Sequence, residues 1–332
     1  MISKSWTDSL CHNNNGYSIL RIRKNDMSSK QKREEKNLLP LYRSKNGGFL
    51  YREVRVGTTT GSDKWGTNCS HRDIDGVLLS NGPEDIPEME RVFKYSASKY
   101  VFQEYLTKSR IELLEAKTEL NTGVIGQIIA AGHLFNEQIG LKHGVRASRS
   151  TIVIPKSSSD PALEEFCRKR HIGVAAVEGI QHAPWPSDSW SGKDDMLSQY
   201  HNRSDKGGIL YRKAFVGDQK LWAGCGCFVV DGIRLSGVRK GKAILDFNNE
   251  HFYERVKDSE AIELIQIPHI NYKRKLIRGV IGRLVACQYM FEKQYGVKVN
   301  PIVLCLGTDD ALAWVCHNEG IKVESPHFNF YD

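Results

Sequence analysis

The sequence predicts an α/β protein built from two tandem αβββαβ units, each a mixed central sheet flanked by helices. Three observations lead there. GVIGQIIAAGHLFNEQIGLK at 123–142 recurs as GVIGRLVACQYMFEKQYGVK at 279–298, an offset of 156. Upstream, GGFLYREVRVG from Gly47 answers GGILYRKAFVG from Gly207; downstream, ALEEFCRKRHIGV from Ala162 answers ALAWVCHNEGIKV from Ala311. Within each copy, short β-branched runs alternate with stretches of helical periodicity, the pattern of a sheet covered on both faces.

In order along the first copy, a polar, basic helix is expected around 28–44, then a strand at 49–56 and its hairpin partner at 72–79. The second copy repeats these at 192–204, 209–216 and 228–235. The first copy then inserts an amphipathic helix, roughly Ile86 to Lys108, whose aromatics Phe93, Tyr95, Tyr100, Phe102 and Tyr105 are read as packing residues. A strand over 111–116 follows, and Asn121 with Thr122 supplies caps for a helix from Gly123 to about Gln138. Thr151-Ile152-Val153-Ile154 reads as a buried strand, and a helix at 161–170 with a strand at 172–178 closes the unit.

These elements divide the chain into a basic arm (1–27), a first unit (28–180), a Pro/Ser-rich linker (181–191) and a second unit (192–332). Trp185 and Trp190 in or beside the linker are candidates to staple the units, and the polar loop 58–68 lies at the edge of the expected site. The chain of 332 residues is long enough for two cores. No apolar run approaches the roughly 20 residues of a bilayer span, and the first residues lack a secretion signal's apolar region. The expectation is a cytoplasmic protein, or a nuclear one if the source is eukaryotic.

The formal charge of +8 suits a polyanionic partner. Residues 1–46 hold ten Lys or Arg against four Asp or Glu, so 10 − 4 = +6 lies at the N-terminal end. A solvated tail and a nucleic-acid contact both fit that distribution. Eight cysteines without a repeated C-x-x-C spacing read as reduced core thiols.

Chemistry is concentrated around residues 111–127, IELLEAKTELNTGVIGQ. Strand alternation puts Leu113, Glu115 and Lys117 on one face, and in the earlier strand puts Asp73, Asp75, Val77 and Leu79 together. An apolar strand carrying two opposite charges is either a wet edge or a site in which a bound cation compensates a buried carboxylate. An Asp near a strand bend, then Glu-x-Lys, then a helix opening with GVIGQ resembles the PD-(D/E)XK nuclease superfamily, over about half of the chain at the level of motif order.

The resemblance implies a restriction-endonuclease-like fold and a Mg²⁺-dependent phosphodiesterase, with Mn²⁺ able to substitute, acting as a DNA endonuclease of restriction, defence or mobile-element type. Mg²⁺ takes hard oxygen ligands, and Asp75, Glu115 and the backbone carbonyl of Ala116 are the expected set, completed by Glu53 or Glu35. Lys117 would orient the attacking water and stabilise the phosphorane. Gln127 resembles the glutamine that follows Glu-x-Lys in RecB-like nucleases, although Ala131 stands where that subfamily carries tyrosine.

In the second copy Asp231 answers Asp75, but Gln266, Pro268, Lys213 and Arg283 answer Glu115, Lys117, Glu53 and Gln127. That copy keeps the framework without the acid and base and is expected to be inactive. It carries Lys273, Arg274, Lys275 and Arg278 before its GVIG helix, candidates for a nucleic-acid backbone contact. The alternatives are a non-catalytic nucleic-acid-binding module and a nuclease subunit or scaffold of a larger defence or transposition complex. A homodimer or larger nucleoprotein assembly is compatible with either.

Overall fold

The computed structural model describes residues 37–57, 72–155, 160–177, 193–203, 208–217, 228–238, 241–247, 251–268 and 275–325. The basic arm, the linker with Trp185 and Trp190, the loop 58–68, Glu35, Lys273 and Arg274 lie outside them. The first unit runs α1 (37–46), β1 (Phe49–Val56), β2 (Arg72–Leu79), β3 (Val92–Lys94), α2 (Lys99–Leu106), β4 (Ile111–Ala116), α3 (Thr122–Phe135), β5 (Arg149–Pro155), α4 (Pro161–Lys169) and β6 (Ile172–Val177). The second runs α5 (Lys193–Arg203), β7 (Gly208–Val216), β8 (Phe228–Ser236), β9 (Lys242–Asp246), α6 (Phe252–Lys257), β10 (Ala261–Gln266), α7 (Arg278–Tyr295), β11 (Asn300–Leu304), α8 (Asp310–Asn318) and β12 (Lys322–Glu324).

Each unit forms a six-stranded mixed sheet, in the order β3-β1-β2-β4-β5-β6 and, read in the matching direction, β9-β7-β8-β10-β11-β12. β2 is antiparallel to β1 and β4, whereas β5 and β6 run parallel to β4. The parallel half needs crossovers, which α3 and α4 supply. β4 is thus central in its sheet.

The aromatic stretch departs from the single inserted helix expected over Ile86–Lys108. Phe93 lies on edge strand β3 and stacks on Tyr51 at 5.1 Å, while Phe102 of the short α2 packs edge-on to Tyr51 and Tyr95. Tyr100 is 86% exposed and packs on nothing in the core. Nor is the segment an insertion, because β9 and α6 repeat it in the second unit, with Phe247 and Phe252 against Tyr211. The two versions share little sequence because the repeated requirement is aromatic volume beside a buried tyrosine, which several orders of residues can meet.

One apolar core passes through both units. It takes Tyr51, Val77, Leu113 and Ile125 from the first and Tyr211, Ile233, Leu264 and Ile281 from the second. The outer face of each sheet has its own smaller cluster: Leu38, Leu39 and Tyr42 of α1 on Leu50, Leu78 and Leu114, and Met196 and Leu197 of α5 on Leu210 and Ile265. The layers therefore run helix, sheet, shared helices, sheet, helix. Tyr42 Oη donates to Glu112 at 3.0 Å, and Tyr200 Oη to Glu263 at 3.3 Å, so the outer helices are pinned the same way in both units.

The shared layer closes where α3 meets α7. A β-carbon added to Gly126 would fall 1.9 Å from the Arg278 carbonyl oxygen, and one added to Gly282 would fall 2.0 Å from that of Thr122. Only glycine permits this backbone approach. Polar contacts reinforce it: Lys293 Nζ donates to Glu165 at 2.7 Å, His133 Nε2 lies 2.7 Å from Glu319 Oε1, and Arg170 also pairs with Glu319. Arg72 reaches Asp309, the N-cap of α8, at 2.6 Å.

The described cysteines, Cys167, Cys287, Cys305 and Cys316, are free and buried. Burial pushes the thiols of Cys167, Cys287 and Cys316 up to about 12 and that of Cys305 to about 11, so they stay neutral and unreactive. Among the described residues no helix is long and apolar enough to cross a membrane.

Candidate functional site

β4 reads IELLEA, and its apolar residues serve two faces at once. Leu113 belongs to the shared core while Leu114 and Ala116 belong to the cluster under α1. By the same alternation Glu115 points toward the shared helices, with Leu113 before it and Lys117 after it.

The ladder between β2 and β4 ends at the Gly76–Leu114 pair. Beyond it, Asp75 Oδ2 accepts the amide of Ala116 at 3.0 Å, so a carboxylate replaces a main-chain acceptor as the strands part. β4 stays paired on its other side, where the Lys117 amide donates to the Val153 carbonyl at 3.0 Å. Asp75 and Lys117 are half-buried and flank Glu115, which is 1% exposed. Four residues further on, the Asn121 side chain accepts the Val124 amide at 3.0 Å and starts α3.

Glu115 Oε1 is buried and makes no hydrogen bond among the described residues. Burial holds the Glu115 carboxyl well above its ordinary range, and neighbouring Asp75 adds to this by its charge and by a hydrogen bond. Arg278 and then Lys117 pull the other way. Two carboxyls forced together in a dry place, one with an orphaned oxygen, have a deficit of positive charge.

That deficit and the all-oxygen donor set fit a hard divalent cation. Asp75 and Glu115 would hold it, and the Ala116 peptide lies between Glu115 and Lys117. Among the described residues no group of three His, Cys, Asp or Glu forms a ready-made metal cage. Water and a substrate oxygen would therefore have to supply the remaining ligands.

Glu53 falls between the Arg52–Gly76 and Val54–Ile74 pairs, across from Asp75, but its side chain is turned to solvent. Its φ of +59° rotates β1 out of simple alternation, so that Tyr51, Val54 and Val56 face the core, and Glu53 is exposed and lies 3.5 Å from Lys94 on the edge strand. Simple alternation along β1 would set Glu53 on one face with Tyr51, and it fails because one left-handed residue resets the period. Lys213, at φ +52°, repeats this kink opposite Asp231. Gln127 is half-buried on α3, one residue past the Gly126 contact.

The basic candidates before α7 part company. Lys275 is exposed and its segment is tied to the β11–α8 loop, with the Leu276 amide donating to Gly307 at 3.0 Å. Arg278, the first residue of α7, lies against α3 and its charge acts on Glu115. A charge of the second unit thus acts on a carboxyl of the first, which comparison of one copy with the other does not reveal. The signal was present in GVIG itself, where glycines three apart in both copies form a small-residue face for close helix contact.

The second unit repeats the geometry with other chemistry. Asp231 Oδ2 accepts the Ile267 amide at 2.6 Å, as Asp75 does with Ala116, and also the Gln266 side-chain amide at 2.6 Å. Asp231 and Gln266 are buried, and Pro268 is buried where the first unit has Lys117. No protein-family model matches the chain, and neither a curated protein nor a solved structure does.

Proposed function

We propose that the chain is a metal-dependent nuclease of the PD-(D/E)XK type, a DNA endonuclease with one live site in the first unit and a degenerate second unit. The observation that carries this reading is the contrast between equivalent positions. In the first unit two carboxyls crowd beside a lysine; in the second a glutamine donates to the aspartate and a proline removes the amine, while the buried, unbonded Oε1 is common to Glu115 and Gln266.

A bound divalent cation would supply charge neutralisation and acidify a water molecule. The protein's residues do the rest. Asp75 is held by the Ala116 amide, so its remaining oxygen is aimed without reorganisation. Burial keeps Glu115 from being hydrated, which strengthens its attraction for a cation. Lys117 directs its ammonium at the attacking water and at the charge that builds on phosphate. In the net reaction the water oxygen forms a new P–O bond as the bridging P–O bond breaks. One water proton goes to solvent and the leaving oxygen takes one up.

The test is cleavage of duplex DNA, single-stranded DNA and RNA by the full chain with Mg²⁺ or Mn²⁺, alongside Glu115→Gln and Lys117→Ala. Cleavage lost in both variants while the cation still raises the wild-type melting temperature supports the reading; cleavage that survives both sinks it. One site per chain gives nicked plasmid first, and linear product only through a second nick or a second chain. Salt-steep binding with neither cleavage nor a cation shift would favour a purely binding role.

A further inference from the structure

We propose that Arg278 of the second unit completes the first unit's site, its guanidinium holding a non-bridging oxygen of the scissile phosphate beside Asp75, Glu115 and Lys117. The proposal rests on the nuclease reading and deepens it. The degenerate unit becomes a working half of the enzyme.

Position is the first argument. Arg278 opens α7, and its carbonyl lies where a side chain on Gly126 would have to be. Gly126 is on the first turns of α3, the helix that follows Lys117 after a short capped turn. The glycine contact therefore fixes the start of one unit's helix against the helix that follows the other unit's Glu-x-Lys strand. The Arg278 charge lies within electrostatic reach of Glu115.

Availability is the second. Among the described residues Arg278 forms no salt bridge or side-chain hydrogen bond, although the shared layer is rich in them, as with Lys293–Glu165 and Arg170–Glu319. A half-buried guanidinium that acts on Glu115 without bonding to it keeps its planar fork of donors for another anion. A phosphodiester oxygen drawn to the same cation matches that fork.

Asymmetry is the third. Across the 156-residue offset the counterpart of Arg278 is Thr122, which is buried and uncharged. The second unit's Asp231–Gln266 pair thus receives no arginine from the first. Acid pair and reciprocal arginine occur together at one site and are both missing at the other, which a merely structural arginine would not require.

The experiment uses the intact chain, single-turnover cleavage of duplex DNA with Mn²⁺, and Mn²⁺ affinity by calorimetry. Arg278→Ala is expected to slow cleavage at saturating duplex by about 10²- to 10³-fold, the cost of losing one transition-state donor. Arg278→Lys should recover part of this. Cleavage by Arg278→Ala at the wild-type rate, or a loss confined to duplex affinity, overturns the proposal. If the alanine variant fails to fold, Arg278→Gln takes its place. Should the wild type bind Mn²⁺ but cut nothing, the nuclease reading fails and the affinity decides separately. Removing a cation beside the carboxyls should tighten Mn²⁺ binding roughly 3- to 10-fold, and unchanged affinity refutes a place for Arg278 in the site.

Discussion

The Gln266 side chain donates a 2.6 Å hydrogen bond to Asp231 Oδ2, at the position where the first unit sets Glu115 beside Asp75. One unit satisfies its aspartate; the other opposes it with a second acid. A framework that accepts the glutamine does not need the glutamate for folding.

Glu115→Gln should therefore raise the melting temperature in chelator by about 2–4 °C while abolishing metal-dependent activity. The sign follows from the raised carboxyl of Glu115. Below its ordinary pKa of 4.5 both folded and unfolded chains hold the proton, so the acid costs nothing there. As pH rises, the unfolded chain releases the proton first and the penalty grows. The gain from Glu115→Gln should be absent near pH 4 and largest at neutral pH, as thermal melts across that range would show.

The α3–α7 crossing makes a different prediction. Gly126→Ala or Gly282→Ala puts a methyl into opposing backbone and should destabilise by about 1–3 kcal/mol or more. Gly132, further along α3, has its nearest neighbour at 3.8 Å from an added β-carbon. Gly132→Ala should stabilise by about 0.5–1 kcal/mol. Denaturant midpoints separate these outcomes, and equal effects from all three would remove the packing argument.

His201 should make the second unit acid-sensitive. The ring is fully buried among α5, Arg234 and Lys242, and Arg234 is itself paired to Glu263 at 2.9 Å. Burial, then the charges of Arg234 and Lys242, push its pKa below 6.5, against a weaker pull from the Ala243 backbone. The unfolded chain therefore takes the proton first as pH falls, and stability present above about 6.5 is lost below it. The denaturant midpoint should fall between pH 7.5 and 5.5 in wild type, and fall less in His201→Phe.

Glu53 tests the revised ligand set. Its left-handed backbone disfavours residues with a β-carbon, and its side chain lies 3.5 Å from Lys94 on the edge. Glu53→Gly should stabilise by about 0.5–1 kcal/mol and leave cleavage within twofold. A large loss of activity would return Glu53 to the site.

Much of this was legible because repeats and strand alternation are local properties of a chain. The α/β units, the Asn121 cap and the common face of Leu113 and Glu115 follow from period and residue type. What escaped depends on single backbone angles and on contacts between copies. The φ of Glu53 reversed one assignment, the β3–α2 aromatics met a packing need that β9–α6 meets with different residues, and Arg278 acts across a boundary that sequence comparison draws between units. The Gln266–Asp231 bond shows how an exchange of residues on this strand can leave the fold's geometry in place.

The Gly126–Gly282 crossing resembles the self-complementary seam of a symmetric homodimer, yet both sides belong to one polypeptide. Covalent tethering makes the seam's occupancy independent of protein concentration, because the effective local concentration never dilutes. It also frees each side to mutate without imposing the same change on its counterpart. Two halves so joined can divide labour, which identical subunits bound by a twofold axis cannot do.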